Sequence, residues 1–239
     1  MGCFTHRMAS AALVTGLLVG SVGTADAGVT ISTLGSENGT VSAFGTPDSG
    51  STPTYGETFI DPAGNGIIQS ITFRVNDNNP NPLPFRASVY AYNTVTNMLV
   101  GSALYTSTTL SIAPSPNILA TVTVSGINTL LTPGNSYIAL FSTIGLTGPV
   151  GGATYGIAPD GSYTGGTFVF NNATTATGLA TTSFSRPTDF GFPNNFDLSF
   201  ALTFDASPPT TATPEPATFA LGVTGVLAGL AALRRRKMA

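Results

Sequence analysis

The chain has 239 residues, only 8% of them charged, a net charge of −3, and 28 Gly and 17 Pro. Its single Cys and single His, Cys3 and His6, both lie near the start, and it has no Trp. Residues 28–205 therefore hold neither thiol nor imidazole, which excludes disulfides, Ser-His and Cys nucleophiles, and histidine-ligated zinc or copper from that stretch.

The opening, "MGCFTHRMASAALVTGLLVGSVGTADAGVT", carries Arg7, an apolar run over 8–22 and then Ala25-Asp26-Ala27. That order of charge, small apolar residues and an A-x-A site reads as a signal peptide over 1–27. Signal peptidase is expected to cut after Ala27 and leave Gly28 first, so the protein is expected to be exported.

Residues 28–205 are long enough for one sizeable core. Nine acids (Glu37, Asp48, Glu57, Asp61, Asp77, Asp160, Asp189, Asp197, Asp205) face three bases (Arg74, Arg86, Arg186), a net −6. Three scattered arginines neutralise few phosphates, which argues against nucleic acid as a partner.

Taken in chain order, strands are expected over 29–33 and 55–60, and then in "SITFRV", where Ile71, Phe73 and Val75 share a face. "FRASVYAY" sets Phe85, Ala87, Val89 and Ala91 against Arg86, Ser88, Tyr90 and Tyr92. Shorter candidates follow over 99–106, 118–124, 136–143, 154–158, 167–170 and 181–184. "DLSFALTF" closes the series, alternating Leu198, Phe200, Leu202 and Phe204 with Asp197, Ser199, Ala201 and Thr203. Period-2 alternation marks half-buried strands. Turn residues separate them in "DPAGNG", "NDNNPNPLP", "APSPN", "TPGNS", "APDGS" and "RPTDFGFPNN". No amphipathic helix of ordinary length appears. The pattern predicts an all-β, antiparallel β-sandwich of jelly-roll type over 28–205.

Little in this stretch resembles catalytic machinery. A Ser-Lys pair lacks its Lys, and no catalytic residue is assigned, so the body is read as non-enzymatic. Paired carboxylates, the glycosidase solution, are the remaining enzymatic option. Hard cations take oxygen ligands, which makes Asp61, Asp77, Asp160 and Asp189 candidates for calcium. The same side chains serve Asx turns between strands, and both readings stand. Tyr90 and Tyr92 project together from one strand face and are candidates for stacking on a sugar, or for packing on the sheet.

The C-terminal stretch reads "TPEPATFALGVTGVLAGLAALRRRKMA". A Pro/Thr-rich linker over 206–216 leads into 17 uncharged residues, 217–233, about 25 Å of helix and so at the short end of the transmembrane range. Arg234, Arg235, Arg236 and Lys237 follow within a basic tail, 234–239, expected to stay cytoplasmic.

Pro214-Glu215-Pro216, one apolar span and an Arg cluster together resemble the PEP-CTERM sorting signal of Gram-negative bacteria. The resemblance implies recognition by exosortase, a membrane-embedded cysteine protease. It also implies an inner-membrane intermediate and delivery of the body to the cell surface or extracellular space, often in bacteria that make exopolysaccharide. "GETF", "TPGNSYIALFST" and "NNFDLSFALTF" look like the bodies of many such proteins, which in turn resemble the β-sandwiches of carbohydrate-binding modules. Together these readings give the expectation of a structural or adhesive surface protein in an exopolysaccharide matrix or biofilm. A calcium-assisted carbohydrate-binding module is the alternative, and a glycoside hydrolase the third.

Overall fold

The computed structural model describes residues 28–47, 50–62, 66–149, 152–192 and 194–205. The signal-peptide positions Ala25 and Ala27, the linker, the apolar span 217–233 and the sorting residues from Pro214 to Lys237 lie outside the described residues. Among the described residues no helix is long and apolar enough to cross a membrane.

Strands dominate, in the order β1 (Val29–Ser32), β2 (Gly39–Phe44), β3 (Thr54–Ile60), β4 (Ile67–Asn76), β5 (Leu83–Asn93), β6 (Met98–Thr106) and β7 (Leu110–Ile112). After them come β8 (Ala120–Leu130), β9 (Ser136–Ser142), β10 (Ala153–Pro159), β11 (Phe168–Asn171), β12 (Phe196–Leu198) and β13 (Phe200–Asp205). One helical turn and a half, α1 (Ala176–Thr181), and a 3-10 turn (Pro187–Phe190) interrupt the last third.

The strands form two sheets. The first runs β1-β13-β4-β10-β12, with β8 on β4 and β2 on β10; the second runs β11-β3-β9-β5-β6, with β7 on β5. Every pairing between these strands is antiparallel. Their inner faces share one core, built from the alternating residues the sequence singled out. Ile71, Phe73 and Val75 of β4 meet Phe85, Ala87 and Val89 of β5, beside Leu198, Phe200, Leu202 and Phe204.

Phe141 of β9 sits at the centre of this core, 4.8 Å from Phe73 in an edge-on contact and 4.3 Å from Phe85, ring centre to ring centre. Tyr155 of β10 extends the aromatic layer toward Phe44, at 5.1 Å, and Tyr55, at 5.3 Å. Edge-to-face pairs at these separations add to the gain from burial itself.

The abundance of Ser and Thr has a structural counterpart on the outer faces. Hydroxyls pair across neighbouring strands as Thr54 with Ser142, Ser70 with Thr203, Thr72 with Thr123 and Ser88 with Thr106, at 2.6–3.1 Å. Such cross-strand pairs hold register without charge.

Three local expectations need correction. Residues 181–184 are not a strand: Thr175 caps α1 by accepting a hydrogen bond from the Gly178 N–H, and Leu179 packs on the outer face of the second sheet. Burial of that side chain outweighs the β preference of the Thr-rich segment. Strand β8 starts at Ala120 rather than 118 and runs on to Leu130, through a register shift opposite Ile68 and Ser70 and positive φ at Gly126 and Asn128. A bulge of this kind breaks alternation and hides the second half of the strand from a period-2 reading. Strands β2 and β7 escaped for similar reasons, the first through its register shift against β10 and the second through its three-residue length.

Candidate functional site

The residues Tyr55, Glu57 and Phe59 alternate along β3, and alternation sends all three to the core face. Glu57 is thus a carboxylate at a core position, fully buried. Its Oε2 accepts a hydrogen bond from the Leu198 backbone N–H of β12 at 2.8 Å, which carries the side chain from the second sheet across to the first. Neighbouring Thr33 supplies the other polar groups of this strand break. Its hydroxyl donates to the Leu198 carbonyl at 2.6 Å and accepts from the Phe200 N–H at 3.0 Å.

Asp197, also buried, lies next in the chain to that acceptor-bound Leu198. Its Oδ2 accepts from the Tyr163 N–H at 2.8 Å. Tyr163 belongs to a strap, residues 160–167, that crosses from β10 to β11. The Thr58 N–H donates to the Thr167 carbonyl at 3.0 Å, the Thr167 N–H returns a bond to the Thr58 hydroxyl at 2.8 Å, and the Tyr163 hydroxyl accepts from the Ile60 N–H at 3.1 Å. These bonds seat the strap on β3. Its Gly165, Gly166 and Thr167 form part of the wall of an open cleft of about 390 Å³, together with Asp160, Arg186 and Asn195.

Each of the two carboxylates keeps one oxygen without a hydrogen-bond partner among the described residues, Oε1 of Glu57 and Oδ1 of Asp197. Burial pushes the Glu57 carboxyl well above the usual range, and the Asp197 charge pushes it further. Burial also raises Asp197, to about 6, against the opposing hydrogen bond from Tyr163 and with added repulsion from Asp160. Two buried acids that disfavour joint ionisation place an electrostatic penalty inside the sandwich. Both side chains are closed to solvent, whereas glycoside hydrolysis requires its two carboxyls to flank a bound sugar.

The sequence candidates do not converge here. Asp77, at the end of β4, makes an Asx turn: its Oδ1 accepts from the Asn79 N–H at 3.0 Å and from the Asn79 side chain at 2.6 Å. Asp189 accepts from the Arg186 N–H at 2.7 Å and serves the 3-10 turn. Asp160 is exposed at the start of the strap, and of the four acids only it bears on the buried pair. Asp61 is buried after β3, with neither carboxylate oxygen hydrogen-bonded among the described residues. Among the described residues no group of three or more His, Cys, Asp or Glu gathers to hold a metal. Tyr92 is buried against Phe184, 6.0 Å away edge-on, so its ring offers no sugar platform; Tyr90 is half-buried beside it.

The sequence names Glu57, with Glu37, as one of the two Glu of residues 28–205 open to a carboxylate pair, but assigns neither Glu57 nor Asp197 to a site. The available signal was phase: a Glu between Tyr55 and Phe59 occupies an inward position of an alternating strand. For Asp197 the alternation gave the outward face, which the strap then covers.

Asp61 supplies a direct test of carboxylate burial. Desolvation raises it from 3.8 to about 6, so the folded state holds its proton more tightly than the unfolded chain does. That contribution to stability is full below about pH 4 and is lost as pH rises through 6. The Asp61→Asn variant is expected to be more stable than wild type by about 1–2 kcal/mol at pH 7, allowing for screening, with no gain at pH 4. Urea unfolding at both pH values with chelator present measures this. A variant less stable than wild type at pH 7 contradicts it.

No protein-family model matches the chain, and no curated protein matches it. A solved structure of the cysteine protease and lectin-like domains of Cwp84, a surface layer associated protein of Clostridium difficile, superimposes with a TM-score of 0.43 and 9% identity, over 65% of this chain and 32% of that one. The chain thus spans about a third of that structure.

Proposed function

We propose that this chain is an exported, non-enzymatic β-sandwich protein, sorted by exosortase to the cell surface or extracellular matrix, where it has a structural or adhesive role beside exopolysaccharide. The observation that carries the reading is the order Pro214-Glu215-Pro216, apolar span 217–233 and Arg234, Arg235, Arg236 and Lys237, joined to a leader-like segment over 1–27. Each part has a physical task. The prolines keep the segment extended for a protease, the apolar span holds it at the inner membrane, and the cations arrest translocation.

The body suits such a role. Its outer faces carry uncharged hydroxyl pairs, which resist nonspecific association, and the exposed members Thr106 and Thr123 offer hydrogen bonds to sugar hydroxyls. From β3 to β12 the chain crosses from one sheet to the other at nearly every step, which supports a jelly-roll assignment. The carbohydrate-binding alternative loses its two-tyrosine platform with the burial of Tyr92, and the hydrolase alternative meets an enclosed acid pair.

The test is processing of the tagged full-length chain in a PEP-CTERM host, with and without its exosortase. A shortened form at the surface of the parent, and a full-length membrane-bound form in the deletion strain, is the expected result. Identical processing in both strains overturns the reading.

A further inference from the structure

We propose that Glu57 and Asp197 hold one Ca²⁺ ion between β3 and β12, beneath the 160–167 strap, so that the ion clamps the two sheets together. Glu57 belongs to the second sheet and Asp197 to the first, and both side chains are enclosed. Each carboxylate is fixed in orientation by one backbone N–H, from Leu198 and from Tyr163, and each keeps its second oxygen without a partner among the described residues. Two oriented, buried, unsatisfied oxygens of like charge are among the costliest arrangements a core holds, and native cores pair or coordinate them.

A proton is the simplest alternative occupant. It offsets one charge of the two, while a divalent cation offsets both and accepts both free oxygens. The identity of the cation follows from the ligands. Residues 28–205 hold no His or Cys, so nitrogen and sulfur ligands for zinc or copper are absent. Calcium accepts six to eight oxygens in flexible geometry and takes backbone carbonyls readily; magnesium demands an octahedron and keeps several waters. Two carboxylates leave most of a calcium shell to backbone carbonyls and water, and the strap that lies against β3 beside the pair is rich in Gly (Gly161, Gly165, Gly166), whose missing side chains leave its carbonyls open to approach. Asp160 adds negative potential at the solvent side of the strap, opposed by Arg186 across the cleft. The role fits a sandwich without disulfides. It is independent of the sorting signal and of any sugar.

The test uses protein recovered after export from a host expressing the full chain, stripped with chelator. Equilibrium dialysis with elemental analysis is expected to find one Ca²⁺ per chain. About 5 mM Ca²⁺ is expected to raise the melting temperature by about 5–10 °C, with a much smaller response to Mg²⁺. Glu57→Gln, which still accepts from the Leu198 N–H, and Asp197→Asn are expected to lose both binding and response. Terbium emission sensitised by tyrosine, and displaced by Ca²⁺, is expected from wild type and decides the matter even where a variant fails to fold. Absence of bound Ca²⁺, an unchanged melting temperature, or no displaceable terbium signal each overturns the proposal.

Discussion

Replacing Phe141 with Ala is expected to cost about 3–5 kcal/mol, the largest loss from any single truncation in the core. The ring reaches both sheets: Phe85 lies on the same sheet, while Phe73 belongs to the opposite one. Its removal deletes buried area and opens a space that close-packed β backbones collapse into only partly. Against a total stability of about 5–15 kcal/mol, that loss is a large fraction. The melting temperature is expected to fall by about 6–20 °C. Val95→Ala, at a side chain 90% exposed, serves as the control and is expected to stay within about 0.5 kcal/mol of wild type. A Phe141→Ala protein that melts like the control would mean that the aromatic layer does not join the sheets.

Gly166→Ala is expected to unseat the strap. A Cβ at this position would overlap the Thr58 backbone carbonyl oxygen, and backbone on both sides leaves no flexible atom to yield. The strap must lift, which breaks the paired bonds between Thr58 and Thr167. The expected cost is about 2–4 kcal/mol. Gly161→Ala separates close approach from backbone conformation. Nothing lies near its added carbon, but its φ of +78° is strained for Ala, at about 1 kcal/mol. With the strap lifted, the Ca²⁺-dependent rise in melting temperature is expected to vanish in Gly166→Ala and to persist in Gly161→Ala. Equal behaviour of the two variants in calcium titration would separate the strap from the carboxylate pair.

What the sequence by itself determined is the class of the fold and most of its core. Ile71, Phe73, Val75, Phe85, Val89, Leu198, Phe200, Leu202 and Phe204 lie in the core because alternation is a local property of an extended chain. Composition likewise settled which chemistries residues 28–205 cannot perform, since a missing imidazole or thiol needs no coordinates. Asp77 and Asp189 took the turn reading that their neighbours Asn79 and Arg186 allow within two or three residues.

Only the tertiary structure decided the rest. The segment 176–185 is a short helix and an isolated bridge at Ser185 rather than a strand because Leu179 and Phe184 find an apolar surface made by β5, β6 and β9, far away in sequence. The same cover turns Tyr92 from an exposed ring into a buried one. Glu57 and Asp197 are 140 residues apart, and their meeting depends on β3 and β12 facing each other across the sandwich beneath one strap. Periodicity reports which way a side chain points along its own strand. Which groups it then meets, and whether water reaches them, is set by the pairing of distant strands.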